Sequence, residues 1–367
     1  MTSNNRRFLC YFDWITFALI MTLSCLGLLF VFSATFKAAI PYSLFFKKQA
    51  FGIVSGIILY CVMCYVDYRA VQQISYILYF GIVGLLFLTI IKGSIGMGAQ
   101  RWINIGIIKF QPSELAKLFF PGFFSYYLMT EKKHDLTLHT YGPIIIILII
   151  STLLIRKQPD LGTALIILFT SSIMLWLSGL NKKFFIAAGI LFLISAPITW
   201  TLLKPYQKKR IAVFLGEGER QKERYHIEQS KIAIGSGGLI GKGFLNGTQN
   251  KLQFLPESRT DFIFSVICEE WGFAGALLII FLYLVLFARL FQQILTIKNF
   301  YAQLLASGLI IHIIISTLIN IGMVMGLLPV VGIPLPLLSY GISNLWITYA
   351  SLGCFSGIII TTKTLPT

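Results

Sequence analysis

Ten runs of mostly apolar residues, at 14–34, 50–68, 74–91, 115–129, 141–155, 161–180, 184–203, 263–291, 302–328 and 344–362, constrain this chain more than any other feature. A helix that crosses a bilayer needs about 20 such residues. In hydrocarbon its backbone N–H and C=O groups must all bond within the segment, so the runs are predicted to be membrane helices. The expected fold class is an all-α integral membrane protein with about ten transmembrane helices. It is read as a single polytopic membrane domain over 1–367, with both termini on one side. Composition agrees with this. Only 12% of the 367 residues are charged and 56% are hydrophobic, whereas soluble domains carry about 25% charged residues. That is too little polar surface for a cytosolic enzyme, a disordered chain or a secreted disulfide scaffold. The first run follows Arg6 and Arg7 as in a signal peptide. No small-x-small cleavage site comes after it, so it reads as a retained anchor.

Thirty Lys and Arg stand against fourteen Asp and Glu, a net charge of +16. In a soluble chain that excess would suggest nucleic acid. Here the basic residues lie in loops beside lipid headgroups, so an anionic lipid surface or an anionic lipid-linked substrate explains them, and no nucleic-acid partner is expected. Ten basic residues fall on the N-terminal side of the membrane and eight in the short loops opposite, a weak preference for an inner N-terminus. Cys10, Cys25, Cys61, Cys64, Cys268 and Cys354 lie mostly in apolar runs and read as packing residues. One segment, 204–261 between the seventh and eighth spans, is too polar to cross. It carries eleven basic and six acidic residues. A loop of that length is expected to be functional.

Charges at membrane depth are functional candidates by default. In FQPSELAK (110–117), Glu114 and Lys117 share a helix face at i and i+3, either as a neutralising pair or as functional groups. Ser113 is placed to cap that helix. In QPDLGTA (158–164), Asp160 stands at a second helix start preceded by proline. A capping role would explain Asp160, but two such starts on one side also suggest an outward-facing polar cavity. In LPESRTDFIFSVICEEWGF (255–273), Asp261 joins the long loop to an apolar helix. It reads either as a cap shared with Thr260 or as a general base beside apolar walls. The adjacent Glu269 and Glu270 point about 100° apart, so both cannot face one cavity. The glycine run GSGGLIGKG (235–243) could cradle phosphate but lacks P-loop spacing. The four histidines do not cluster, and neither a zinc motif nor a Ser-His-Asp arrangement is present.

GAQRW (98–102), FQPSELAK (110–117), QPDLGTA (158–164), QSKIAIGSGGLIGKG (229–243), LPESRTDFIFSVICEEWGF (255–273) and PLPLLSYG (334–341) together resemble the SEDS family of shape, elongation, division and sporulation proteins, over about 12–362. GAQRW and YQKKRI (206–211) are closer to its rod-shape members than to its division members. The resemblance implies a ten-helix fold in the bacterial cytoplasmic membrane, with both termini cytoplasmic and the active site facing outward. It implies a peptidoglycan glycosyltransferase that polymerises lipid II for cell-wall elongation and rod shape. Its expected partners are a class B penicillin-binding protein and other elongation-machinery proteins. The family's catalytic aspartate falls on Asp261, its functional acid and lysine on Glu114 and Lys117, and a motif arginine on Arg210. Substrate contacts are expected from Arg101, Gln111, Gln158, Asp160, Arg210, Gln229, Ser236, Glu257 and Thr260 within these motifs. Two departures stand out: SYGISN (339–344) where the family often has SYGGSS, and FLGEGERQKERYH (214–226) where an Asp-Pro-rich stretch is usual.

In that chemistry a sugar hydroxyl attacks an anomeric carbon whose leaving group is a lipid pyrophosphate. Asp261 is the expected base, and Arg101, Lys117 and Arg210 the cations that meet the developing charge. Mg²⁺ or Mn²⁺ would suit a pyrophosphate with a few carboxylates; no organic cofactor is expected. A lipid II flippase is the alternative from the transporter class, and a non-catalytic cell-wall scaffold is a third reading. A flippase explains the helices and buried charges but needs no base.

Overall fold

The computed structural model describes residues 11–38, 41–96, 99–105, 108–131, 138–202, 208, 212, 225–251, 254–255 and 257–364. Its body is helical. In chain order come α1 (Trp14–Thr35), α2 (Leu44–Tyr65), α3 (Tyr68–Lys92), α4 (Pro112–Thr130), α5 (Leu138–Lys157), α6 (Leu161–Leu177), α7 (Lys182–Leu202), α8 (Tyr225–Ser236), α9 (Thr248–Lys251), α10 (Ile263–Ile294), α11 (Phe300–Val324) and α12 (Ile342–Thr364). Each of the ten apolar runs falls on a helix. Among the described residues, α1, α2, α3, α5, α10, α11 and α12 are long and apolar enough to cross a membrane. The chain is a membrane protein.

The helix starts follow local chemistry. Asp13, Ser43, Asp67, Asp160 and Asn299 each accept a backbone N–H in the first turn of the helix that follows. Pro112 opens α4, where a missing N–H costs nothing. Between α3 and α4 runs a small antiparallel sheet, β1 (Ser94–Gly96), β2 (Ala99–Ile105) and β3 (Ile108–Phe110), in the order β1-β2-β3. β2 carries Arg101.

Lipid offers helices no hydrophobic reason to associate, so small residues that allow close backbone approach and buried polar pairs hold the bundle. Gly353 and Gly357 of α12 lie directly against the backbones of Tyr60 and of Met63–Cys64 on α2, and Gly308 of α11 against Pro121 of α4 and Met174 of α6. Within the apolar interior, Tyr60 and Ser356 share a hydrogen bond of 2.8 Å, and Ser24 and Tyr349 one of 2.7 Å. Gln72 of α3 donates to Ser125 of α4 at 3.0 Å. The described cysteines are unpaired, as packing residues would be.

The long helix α10 breaks at Gly272, whose φ of 65° and ψ of −158° lie outside the helical region. The backbone of the glycine-rich run repairs the break. The amides of Lys242 and Gly243 donate to the carbonyls of Glu269 and Glu270, while Phe273 and Ala274 donate to Gly238 and Leu239, at 2.9–3.1 Å. The amides of Lys242 and Gly243 thus bond the protein's own backbone.

Candidate active site

Three charged clusters lie at the ends of helices on one side of the bundle. The first gathers around Asp160, which is 3% exposed. Its carboxylate accepts Thr163 N at 3.2 Å, Gln111 Nε2 at 2.6 Å and Ser113 Oγ at 3.0 Å. Arg101 of β2 approaches it at 3.6 Å. Asp160 therefore caps α6 and also ties α6 to the start of α4 and to the sheet. Ser113, expected to cap α4, instead donates to Asp160; the cap position is Gln111, with no side-chain cap bond. Gln111, Ser113 and Asp160 form a buried polar seam between helices, and Arg101, 26% exposed, opens it towards the surface. The two proline-led helix starts do meet, as anticipated.

One residue beyond Ser113 begins the second cluster. Glu114 and Lys117 form an ion pair of 2.8 Å with side chains 9% and 3% exposed. Lys117 Nζ also donates to Asn344 Oδ1 of α12 at 3.4 Å. A neighbouring anion and a polar oxygen are what a buried ammonium requires.

The third cluster surrounds Asp261. The cap position of α10 is Phe262, and no side chain caps that helix, so the capping alternative for Asp261 is not realised. Thr260, the other proposed cap, donates to Glu257 Oε2 at 3.1 Å. The turn is fixed from outside. Asn320 of α11 donates to the Asp261 carbonyl at 2.9 Å, Ser339 to the Thr260 carbonyl at 2.5 Å, and Tyr340 N to the Arg259 carbonyl at 2.9 Å. Asp261 Oδ2 faces the backbone at Gly332. The Arg259 guanidinium lies over the Phe45 ring at 4.0 Å. His226 of α8 stacks on Phe262; burial lowers its pKa, with Glu257 opposing that shift. The supporting loop is itself anchored: Gln49, fully buried on α2, donates to the Ser339 carbonyl and accepts Gly341 N. Leu337 holds a left-handed φ of 67° in that loop, the kind of backbone tension that a well-buttressed site tolerates.

A single family model, described as cell cycle protein FtsW/RodA/SpoVE, matches residues 13–364. The chain belongs to the FtsW/RodA/SpoVE family. Among curated members it is 38% identical over 314 residues to the peptidoglycan glycosyltransferase MrdB of Escherichia coli K12, covering 85% of each chain. It is 36% identical to MrdB of Helicobacter pylori J99, covering 95% of this chain and 90% of that one. Stage V sporulation protein E of Bacillus subtilis is 36% identical, over 93% of this chain and 95% of its own. Two solved structures share the fold. A chain from work described as structural coordination of polymerization and crosslinking by a peptidoglycan synthase complex has a TM-score of 0.81 at 28% identity, covering 95% of this chain and 97% of that one. The rod shape determining protein RodA of Thermus thermophilus has a TM-score of 0.71 at 26% identity, covering 96% and 98%.

Against that family frame the sequence-derived residues divide. Arg101, Gln111 and Asp160 converge, Glu114 and Lys117 pair, and Glu257, Thr260 and Asp261 share one turn. Gln158 goes elsewhere: its amide donates to Leu86 O and Thr89 Oγ1 on α3, tying α5 to α3. Ser236 is exposed, with its hydroxyl on the Ala233 carbonyl. Gln229 lies half-buried on α8, a helix held through Ser230 to Ser265 and the Val324 carbonyl. Arg210 lies outside the described residues. Glu269 and Glu270 do point apart, Glu269 to Lys242 at 2.7 Å and Glu270 to Ser33 of α1. The residues missed from sequence are the supports Gln49, Asn320, Ser339 and Asn344. Asn320, mid-way along an apolar run, carried a readable signal as a polar group at membrane depth.

Proposed function

We propose that this chain is a peptidoglycan glycosyltransferase of the bacterial cytoplasmic membrane, polymerising lipid II for cell-wall elongation. The observation that carries the reading is the loop before α12. Its Ser339 supports the Asp261 turn, and Asn344, in the first turn of α12 just beyond it, receives Lys117. In this reading that stretch joins the Asp261 carboxylate and the Lys117 cation, from distant parts of the sequence, in one site. The two MrdB relatives carry that activity in their names.

In this mechanism Asp261 accepts the proton of the attacking sugar hydroxyl, a contribution of about 10²–10⁴-fold. The bond to the anomeric carbon forms from the opposite side as the pyrophosphate leaves, so one transfer inverts that centre. Lys117, oriented by Glu114 and Asn344, and Arg101, oriented by Asp160, supply positive charge where the leaving group becomes more anionic. Among the described residues no three His, Cys, Asp or Glu side chains converge as metal ligands. In this reading ten crossings and cytoplasmic termini put the site outside, where a class B penicillin-binding protein cross-links the product; the structural neighbour from work on a peptidoglycan synthase complex supports that partner.

The test uses the purified chain with its penicillin-binding partner and fluorescent lipid II, with moenomycin present to silence the unrelated glycosyltransferase class. Polymer is the expected product. Transbilayer movement of lipid II without polymer would favour the flippase reading instead.

A further inference from the structure

We propose that Arg259, laid over Phe45, is a receptor for a phosphate group of the lipid-linked substrate; this rests on the glycosyltransferase reading and adds a binding residue to it. Three other cations near the charged clusters already have protein anions. Lys117 has Glu114 at 2.8 Å, Arg101 has Asp160 at 3.6 Å and Lys242 has Glu269 at 2.7 Å. Arg259 has no carboxylate at ion-pair distance among the described residues, although it is half-buried. It is nonetheless held in place. Its guanidinium carbon sits 4.0 Å from the Phe45 ring centroid, and Phe45 in turn packs edge-on against Tyr340 at 5.3 Å. Its own carbonyl accepts Tyr340 N at 2.9 Å.

A guanidinium stacked on a ring uses its flat face for that contact and keeps its five N–H donors in the plane, pointing outward. The fork of donors matches two oxygens of a phosphate, a fit that lysine cannot reproduce. The aromatic stack removes much of the side-chain entropy that an ordinary arginine loses on binding an anion. Two residues further along the same turn is Asp261. A phosphate on Arg259 therefore lies at the base's own turn, which suits the diphosphate of a lipid-linked sugar. The same chemistry could take the headgroup of an anionic phospholipid, and the test separates the two.

Binding of undecaprenyl diphosphate to the full chain in detergent micelles is measured for wild type, Arg259→Ala, Arg259→Lys and Phe45→Leu, with phosphatidylglycerol as the second probe. Loss of one bidentate charged contact predicts about tenfold or more weaker diphosphate binding in Arg259→Ala. Arg259→Lys and Phe45→Leu should weaken it less, and phosphatidylglycerol binding should not change. An unaltered diphosphate affinity in Arg259→Ala overturns the proposal. Equal losses for both lipids overturn the assignment to substrate. Should Arg259→Ala not fold, unchanged affinity in both Arg259→Lys and Phe45→Leu overturns it equally. Polymerisation by wild type in the same preparation tests the underlying reading: polymer without Arg259 dependence sinks this site alone, while neither polymer nor diphosphate binding in wild type sinks both.

Discussion

A lysine side chain only 3% exposed must have its charge neutralised, and Lys117 draws that neutralisation from Glu114. Removing one member of such a pair leaves an uncompensated buried charge, at about 3–5 kcal/mol, whereas removing both is far milder. We therefore expect Glu114→Gln and Lys117→Met each to lower thermal stability, and the double variant to recover much of it. In the proposed mechanism Lys117 also meets the leaving group, so polymerisation should not recover with it. A double variant that melts like wild type and polymerises would reduce the pair to a structural role. The i and i+3 spacing made this pair legible in the sequence. Asn344 was not legible, since it meets Lys117 across 227 positions and only packing brings the two together. At the opposite end of the bundle, Asp13 caps α1 and takes Arg289 of α10 at 2.9 Å. Burial pushes its pKa up, but hydrogen bonds from Arg289 and Thr16 and the Arg289 charge win and hold it at about 2. A depressed carboxylate contributes stability above its unfolded value of about 3.9 and loses it as pH falls through the folded one. Asp13→Asn should thus melt below wild type at neutral pH, with the gap closing between about pH 4 and 2. Scanning fluorimetry across that window decides it; a gap that stays constant would contradict the pairing.

Helix α10 and the glycine-rich run form one element in two pieces. At Gly241, φ is 87°, and an added Cβ would stand 2.1 Å from the Glu270 carbonyl oxygen. At Gly238, φ is 58° but nothing lies within 4 Å of such a Cβ. Both alanine substitutions meet an unfavourable backbone, at about 1 kcal/mol, but only Gly241→Ala also pushes against main chain. We expect Gly241→Ala to lose most folded protein in detergent and Gly238→Ala to lose little, as size-exclusion yield will measure. Equal yields would show that the loop does not dock as described. Composition marked the glycines but could not name their partner, because backbone-to-backbone docking leaves no side-chain signature. The sheet between α3 and α4 was missed for a related reason. Its short strands carry neither the length nor the clean alternation that identifies a strand from sequence.

Over the whole molecule, alternating traverses place the sheet and the starts of α4, α6, α10 and α12 on one face, with Asp13, Arg289 and Asn299 on the other. Sequence alone was sufficient for the helical body, because apolar runs of membrane length admit few other structures. It was weaker on orientation, where ten basic residues against eight decide little. A membrane-impermeant maleimide settles that directly in cells expressing the chain with its six cysteines replaced and one new cysteine introduced. Lys37→Cys should label from outside and Asn299→Cys only after lysis; the reverse pattern would turn the site inward and exclude extracytoplasmic polymerisation. Both positions are exposed.

The central assignment is Asp261 as the base, and Asp261→Asn tests it with almost no change of shape. Purified with its penicillin-binding partner and given fluorescent lipid II and moenomycin, wild type should form polymer. Asp261→Asn should form none while keeping its melting temperature and its partner. Polymer from Asp261→Asn at the wild-type rate would contradict the assignment and leave the proton to another group.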